Sequence, residues 1–346
     1  MIFNTEDFDL MVDFNSQNVS YQEGWGVSCR TVDDCLIQSI CDQFNNRTDV
    51  VAHDSMWYNI TNKHAAFINH MRTNDLLYVK DHLEYMFMNS LTDGTVQGEY
   101  HHTNLLEYDE TRKMVASFTY NKLISLMQYV ELIPIFYPEN RPFINDFENY
   151  FSRNPNIHLN SLKSKLKIDV SAPKYSLALF GIQTKYGVYS WRDFISFGIA
   201  AMINERYDNK EISICEIGGG VGHLAYYLRK FGFNKISIID LPTISATQMY
   251  FLGVNDEGHN IKFLSPDQYD GDYDLILNVD SMTEMNMGIV DTYIKKMDKR
   301  TRLISINHEI NTFRVSSVCR SNKLKRLQRH PFWFRKGYNY EEYVRT

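Results

Sequence analysis

The spacing of apolar residues changes about half-way along the chain. Before residue 170 they recur every three and four positions over 32–44, 56–71, 75–89 and 111–132, which is the spacing of one helix face. This half is dense in tyrosine, histidine and asparagine and has no series of β-branched runs, so it reads as mainly helical. Segment 154–174 is polar, contains Pro173, and reads as the connection between the two halves. A helix is predicted over 190–207, with Ser190 as N-cap and Asp193 as the acid of a capping box. Short apolar runs then predict strands over 212–217, 235–239, 261–263, 275–279 and 302–306, with an amphipathic helix over 222–231 between the first two. Strands buried on both faces and separated by helices make a parallel sheet with crossover helices. Runs 331–335 and 340–345, around Gly337, predict a closing antiparallel hairpin. The expected fold class is α/β: a doubly wound domain over 171–346 after a mainly helical domain over 1–170. A chain of 346 residues also exceeds what one core usually organises.

Composition changes this picture little. With 44% hydrophobic and 23% charged residues the chain is ordinary for a globular protein, and no stretch nears the ~18 apolar residues of a membrane span. Residues 1–14 carry Glu6, Asp7, Asp9 and Asp13, unlike the positive start and unbroken apolar core of a signal peptide, so a cytoplasmic location is expected. Cys29, Cys35, Cys41, Cys215 and Cys319 form no C-x-x-C pair, and neither a disulfide framework nor structural zinc is expected. A net charge of −6 argues against a nucleic-acid partner. One segment, 311–340, has no acid but holds Arg314, Arg320, Lys323, Lys325, Arg326, Arg329, Arg335 and Lys336. It reads as a solvated helix face, with a collar for an anionic substrate as the alternative.

The strongest local signal is the first strand of the second half running into Gly218, Gly219, Gly220 and Gly222, then into a helix. Glycine permits a tight turn and close approach of a ligand, and such a loop presents N–H groups at the carboxyl edge of the sheet. A dinucleotide fingerprint starting at Gly218 and Gly220 would need a third glycine at position 223, which is His223. The pattern that fits is acidic-x-Gly-x-Gly-x-Gly, with Glu216 as the acid. Asp240, at the tip of the second strand, is placed to accept both ribose hydroxyls, or to cap the helix that begins around Leu241-Pro242-Thr243.

This pattern resembles motif I of class I S-adenosylmethionine-dependent methyltransferases. The runs 215–222, Asp280-Ser281-Met282-Thr283-Glu284-Met285, Asn307-His308-Glu309 and Tyr340-Glu341-Glu342-Tyr343 look like the sugar O-methyltransferases of bacterial surface-polysaccharide clusters. The resemblance covers mainly 171–346. It implies a Rossmann-like methyltransferase domain with S-adenosylmethionine as cofactor and S-adenosylhomocysteine as product. The cofactor contacts it implies come from Glu216, Gly218, Gly219, Gly220 and Gly222, from Asp240 with Leu241 beside it, from Asp267 at the adenine amino group, and from Asn278 near the methionine end. His223, at the start of the helix, would touch cofactor or acceptor. The acceptor would be a sugar or nucleotide-linked sugar.

Methyl transfer from a sulfonium is an in-line displacement that depends on positioning, and an alcohol acceptor benefits from a nearby base. His308, at the end of the fifth strand, is the expected base, with Glu309, Asp280 and Glu284 orienting it or binding acceptor hydroxyls. The same four side chains could instead hold a divalent cation, although they show no fixed metal-ligand spacing, and no metal is assigned. His101 and His102 are expected on a loop over the site; Tyr186, Tyr189 and Trp191 offer aromatic faces for a sugar or for packing. The N-terminal domain would serve as lid, acceptor-binding or dimerisation surface, the last allowing a homodimer, and the sequence leaves the oligomeric state open. The competing readings are a methyltransferase for another small molecule or a protein side chain, and a catalytically silent nucleotide-binding module. A nicotinamide dehydrogenase is disfavoured by the glycine spacing.

Overall fold

The computed structural model describes residues 21–26, 32–46, 58, 62–135, 153–174, 177–310 and 312–345. Residues 1–14 and Cys29, on which the targeting and cysteine readings partly rest, lie outside the described residues.

The N-terminal half comprises β1 (Gln22–Trp25), α1 (Asp34–Asn45), α2 (Ala65–Arg72), α3 (Leu76–Glu84), α4 (Gly98–Glu107), α5 (Asp109–Tyr129) and α6 (Pro155–Leu166). Helices α1, α2, α3 and α5 follow the apolar periodicity. Helix α4 has too few apolar residues for a stripe. Helix α6 occupies the segment expected to be a connection; Asn154 caps it by accepting from Asn156 N at 2.9 Å, and Pro155 suits its first turn.

Next come β2 (Phe180–Thr184), β3 (Gly187–Tyr189), α7 (Trp191–Arg206), β4 (Ser213–Ile217), α8 (His223–Lys230), β5 (Lys235–Ile239), α9 (Pro242–Val254) and β6 (Ile261–Leu264). The chain ends with β7 (Leu275–Val279), α10 (Met287–Lys296), β8 (Arg302–His308), α11 (Val315–Ser321), β9 (Lys325–Pro331) and β10 (Tyr338–Val344). The capping box of α7 is present: Ser190 N donates to Asp193 Oδ2 at 2.7 Å.

Two sheets result. The larger has the order β6-β5-β4-β7-β8-β10-β9, with β4 to β8 parallel and β10 antiparallel to both its neighbours. This is an α/β, Rossmann-like doubly wound sheet with a terminal antiparallel hairpin. The smaller, β1-β2-β3, is not visible in the sequence pattern; in it Trp25 pairs with Phe180, joining a strand before residue 170 to one after it. Successive strand residues face opposite sides, so Ile214 enters the core shared with α1, α5 and α7, while Cys215 enters a second core with Ile294 of α10 and Val318 of α11. Among the described residues no helix is long and apolar enough to cross a membrane.

The hairpin corrects two expectations. Its first arm is β9, inside the basic segment, rather than 331–335, and the basic run 325–331 is an edge strand rather than a helix face. Arg326 and Arg329 approach Glu341 on β10 at 3.6 and 3.4 Å, and Gln328 Nε2 donates to Glu342 Oε2 at 2.6 Å. Much of the positive charge is thus met within the sheet, and a charged edge discourages pairing with another chain. Phe334, in the hairpin's turn, packs where Gly198 of α7 leaves room; a Cβ there would lie 2.3 Å from the ring. Gly198→Val is expected to lower unfolding free energy by about 1–3 kcal/mol through overpacking, as measured by urea denaturation. An unchanged midpoint would mean that α7 and the hairpin do not pack this way.

Candidate functional site

Strand order reverses direction between β4 and β7, and the crevice at their carboxyl ends is where open α/β sheets bind ligands. The loop leaving β4 crosses this crevice with Gly218, Gly220 and Gly222 at φ of 75°, 55° and 105°. Two of these glycines matter for different reasons. At Gly218 a Cβ would lie 2.1 Å from Ser281 Oγ, so the β7 tip leaves no space for one. At Gly220 a Cβ would meet nothing within 4 Å, because it would project into open space. The Ser281 hydroxyl donates to Ile217 O at 2.7 Å, and Asn278 Nδ2 donates to Ile217 O at 3.1 Å, tying the two strand tips together.

That open space is a cavity of about 570 Å³, within the ~300–1,000 Å³ of small-molecule sites. Of the predicted cofactor residues, Glu216, Gly218, Gly219, Gly220, His223, Asp240, Leu241 and Asp267 line it. Gly222 stands behind the loop, packed on Leu252, and Asn278 is fully buried, its amide also accepting from Asn307 Nδ2 at 2.9 Å. Of the predicted catalytic residues, Asp280 and Glu284 line the cavity. His308 and Glu309 do not; Glu309 faces Arg329 at 2.7 Å and Arg314 at 3.7 Å. The four acidic and imidazole side chains therefore do not converge on one point, and among the described residues no group of three or more His, Cys, Asp or Glu is placed to hold a metal ion.

Two buried carboxyls dominate the electrostatics. Glu216 is 2% exposed, its Oε2 has no hydrogen-bond partner, and burial, then the neighbouring Asp240, pushes its pKa up to about 8. Burial raises Asp240 to about 7, opposed by hydrogen bonds: its Oδ1 accepts from Leu241 N at 2.9 Å and its Oδ2 from Gln248 Nε2 at 2.8 Å. Gln248 also donates to Gly220 O at 2.9 Å, so one amide fixes both the acid and the loop. His223 is held neutral, its pKa lowered to about 3 by burial and then by Arg192.

At the tip of β7 Asp280 adopts a left-handed backbone, φ 62°, that costs a non-glycine residue roughly 1–2 kcal/mol. It is locked there. Its N–H donates to Ile306 O at 2.8 Å, and its Oδ2 accepts from Arg335 Nη1 at 2.9 Å and Tyr338 Oη at 2.7 Å. Its Oδ1 lies 3.6 Å from His308 Nε2. The ladder explains the convergence: Tyr338 of β10 sits opposite His308 of β8.

Sequence reasoning missed several of these groups. Arg192, at the start of α7, lines the cavity. So do Gly94, Thr95 and Val96, from the turn before α4, which makes the N-terminal helices contribute to the wall. His101 and His102, expected on a covering loop, lie within α4 instead, and His102 is buried beside Gln97. Gln248 left a signal, being the one amide in α9, a helix that carries no charged residue. Arg335 showed only as one of the basic residues of 311–340 and Tyr338 left no signal, since only the sheet order brings them to Asp280.

No family model matches the chain, and no curated protein matches it. Solved structures that it resembles include the mitomycin 7-O-methyltransferase MmcR, at 14% identity and TM-score 0.37, over 45% of this chain and 57% of that one. Magnesium protoporphyrin IX methyltransferase from Synechocystis PCC 6803 with bound SAM is similar at 16% identity and TM-score 0.37, over 45% and 80% of the two chains. A TehB-like SAM-dependent methyltransferase from Corynebacterium glutamicum is similar at 14% identity and TM-score 0.36, over 45% and 94%. With so little identity, functional assignment rests on the site itself.

The carboxyl pair makes stability pH-dependent. Folded, ligand-free chain keeps protons that the unfolded chain releases above ~4.3, so stability is full at low pH and falls as pH rises toward 7 and 8. The slope is at most about 1.4 kcal/mol per pH unit per group. Glu216→Gln has no such proton to lose. It is expected to flatten the decline between about pH 5 and 8 in urea denaturation; identical slopes would show that Glu216 is ionised throughout.

Proposed function

We propose that this chain is an S-adenosylmethionine-dependent methyltransferase acting on a hydroxyl, with a sugar or nucleotide-linked sugar as acceptor. The observation that carries the cofactor reading is the buried Glu216 carboxyl, one oxygen of which has no partner, beneath a glycine loop whose Gly220 opens into the cavity. A pyrophosphate would bring negative charge against that carboxyl, whereas the ammonium of an amino-acid tail would ionise and pair with it. Asp240 at the next strand tip accepts the ribose hydroxyls, with Leu241 beside the nucleoside. Asp267 takes the adenine amino group, next to the rings of Tyr269 and Tyr293, whose centroids are 5.0 Å apart. His223, uncharged, packs beside the loop without repelling a sulfonium. Gly222 and Asn278 act by shaping the loop and the β7 tip.

The bound cofactor would supply an electrophilic methyl group. This chain's own residues then position the acceptor and handle its proton. Asp280, fixed by Arg335 and Tyr338, accepts a hydrogen bond from the acceptor hydroxyl, and Glu284 beside it binds a further hydroxyl. The proton passes from the acceptor hydroxyl to Asp280, behind which His308 Nε2 stands 3.6 Å from Oδ1. Glu309, paired with Arg329, steadies the turn after His308. Gly94 to Val96 line the cavity from the N-terminal half, and the turn that carries them serves as its cover. The likeness of 280–285 and 307–309 to sugar O-methyltransferases supports the acceptor class.

Calorimetric titration with S-adenosylhomocysteine is expected to give micromolar binding, with none for NADH; the reverse would remove the cofactor reading. Gly220→Val should fold yet lose this binding, because its side chain would enter the cavity from a left-handed backbone. Asp280→Asn tolerates the same backbone and is expected to lower kcat by roughly 10²–10⁴-fold with cofactor affinity retained. Unchanged turnover would take Asp280 out of the chemistry. Radiolabelled methyl transfer to peptides but not to nucleotide sugars would replace the sugar proposal.

A further inference from the structure

The cavity wall holds another buried polar atom without a hydrogen-bond partner, on a side chain opposite in sign to Glu216. Arg192 lines the wall, and its Nε is buried without a hydrogen-bond partner. Arg335, the other arginine near Asp280, is met by that acid at 2.9 Å. Leaving a desolvated guanidinium N–H without an acceptor is costly, so such a group in a cavity wall is completed by what the cavity binds.

The fold sets where Arg192 stands. Its neighbour Asp193 anchors the first turn of α7 twice, accepting from Ser190 N at 2.7 Å and from Tyr227 Oη of α8 at 3.2 Å. Phe197 and Tyr227 then stack at 4.9 Å, holding α7 against α8. Helix α8 begins at His223, immediately after the glycine loop, and His223 feels the Arg192 charge. The guanidinium rests on the ring of Trp191, 4.2 Å from its centroid. The remaining charged or polar groups that act on it are Arg335, Asp280, Tyr338 and Glu284. Arg192 is therefore held at the end of the glycine loop, in the same cavity as Glu216.

We infer that Arg192 is the counter-ion for the α-carboxylate of the cofactor's amino-acid tail, with Glu216 facing the α-ammonium. An acid with one unpartnered oxygen and a guanidinium with an unpartnered N–H, lining one cavity, are the complement of a zwitterion. The planar fork of arginine suits a carboxylate, which it can bind through two parallel hydrogen bonds. The inference rests on the cofactor reading above. A carboxylate on the acceptor is the other source of the same chemistry, and a binary titration without acceptor separates the two.

The test compares S-adenosylhomocysteine, which has the carboxylate, with 5′-methylthioadenosine, which lacks the whole amino-acid tail, on the full chain by calorimetry. Arg192→Met is expected to weaken S-adenosylhomocysteine roughly ten- to hundredfold while leaving 5′-methylthioadenosine unchanged, with Arg192→Lys in between. A folded Arg192→Met that binds S-adenosylhomocysteine as wild type does would overturn the inference and leave the cofactor reading standing. Equal loss of both ligands would overturn it too, by showing a general distortion of the cavity. A second measurement needs no variant: wild type should bind S-adenosylmethionine more tightly than its decarboxylated form, and equal affinities would refute a carboxylate counter-ion. Wild type that binds none of these nucleosides would remove the cofactor reading and this assignment with it.

Discussion

Everything at the cavity depends on how closely the loop after β4 can approach the tip of β7. The Ser281 hydroxyl seats against Gly218 and bonds to the last carbonyl of β4, where no side chain could fit between them. That contact closes the floor of the crevice and turns the next residues outward. Gly220 then faces empty space, and Asp240 is drawn in from the next strand through Gln248. Parallel strands alone would give a crevice; the loop's contact with the neighbouring strand gives it a shaped floor.

Buried polar atoms in this floor are left without partners by the protein itself, and one backbone is held in an uncommon conformation. Glu216 lacks a partner for one oxygen, Arg192 lacks one for Nε, and Asp280 holds a left-handed backbone. Such features weaken a fold and persist where the surrounding structure over-determines them. Here the determinants are extensive: the capping box of α7, the amide of Gln248, and the Arg335 and Tyr338 bonds to Asp280. A ligand that satisfied Glu216 Oε2 and Arg192 Nε would stabilise the fold on binding.

The walls come from elements that are distant in the sequence. Residues 94–96 approach from the N-terminal helices, and the hairpin brings Arg335 and Tyr338 from the far end of the chain. Both are carried by apolar packing rather than by the polar contacts they deliver. Phe334 fits over Gly198, and the core around α1, α5 and α7 runs unbroken into β4 and β5. The basic residues of β9 serve this frame as well, through Glu341 and Glu342 of β10.

The sequence by itself determined the parallel sheet, because strands buried on both faces leave short unbroken apolar runs that local pattern reveals. It also determined the glycine loop, Glu216 and Asp240, since a turn into left-handed conformations can be written with few residues other than glycine. It did not disclose β1, β2 and β3, which are short and partly polar, or helix α4, whose apolar positions are sparse. The hairpin's first arm lies several residues from where the pattern puts it, because a charged edge strand and a solvated helix face have the same composition. Only tertiary structure decided that Asp280 meets Arg335 and Tyr338, that His308 stands behind Asp280 rather than at the cavity, and that Arg192 faces it. These are contacts between residues 50 or more positions apart or between separate elements, and local spacing carries no record of which strand lies beside which.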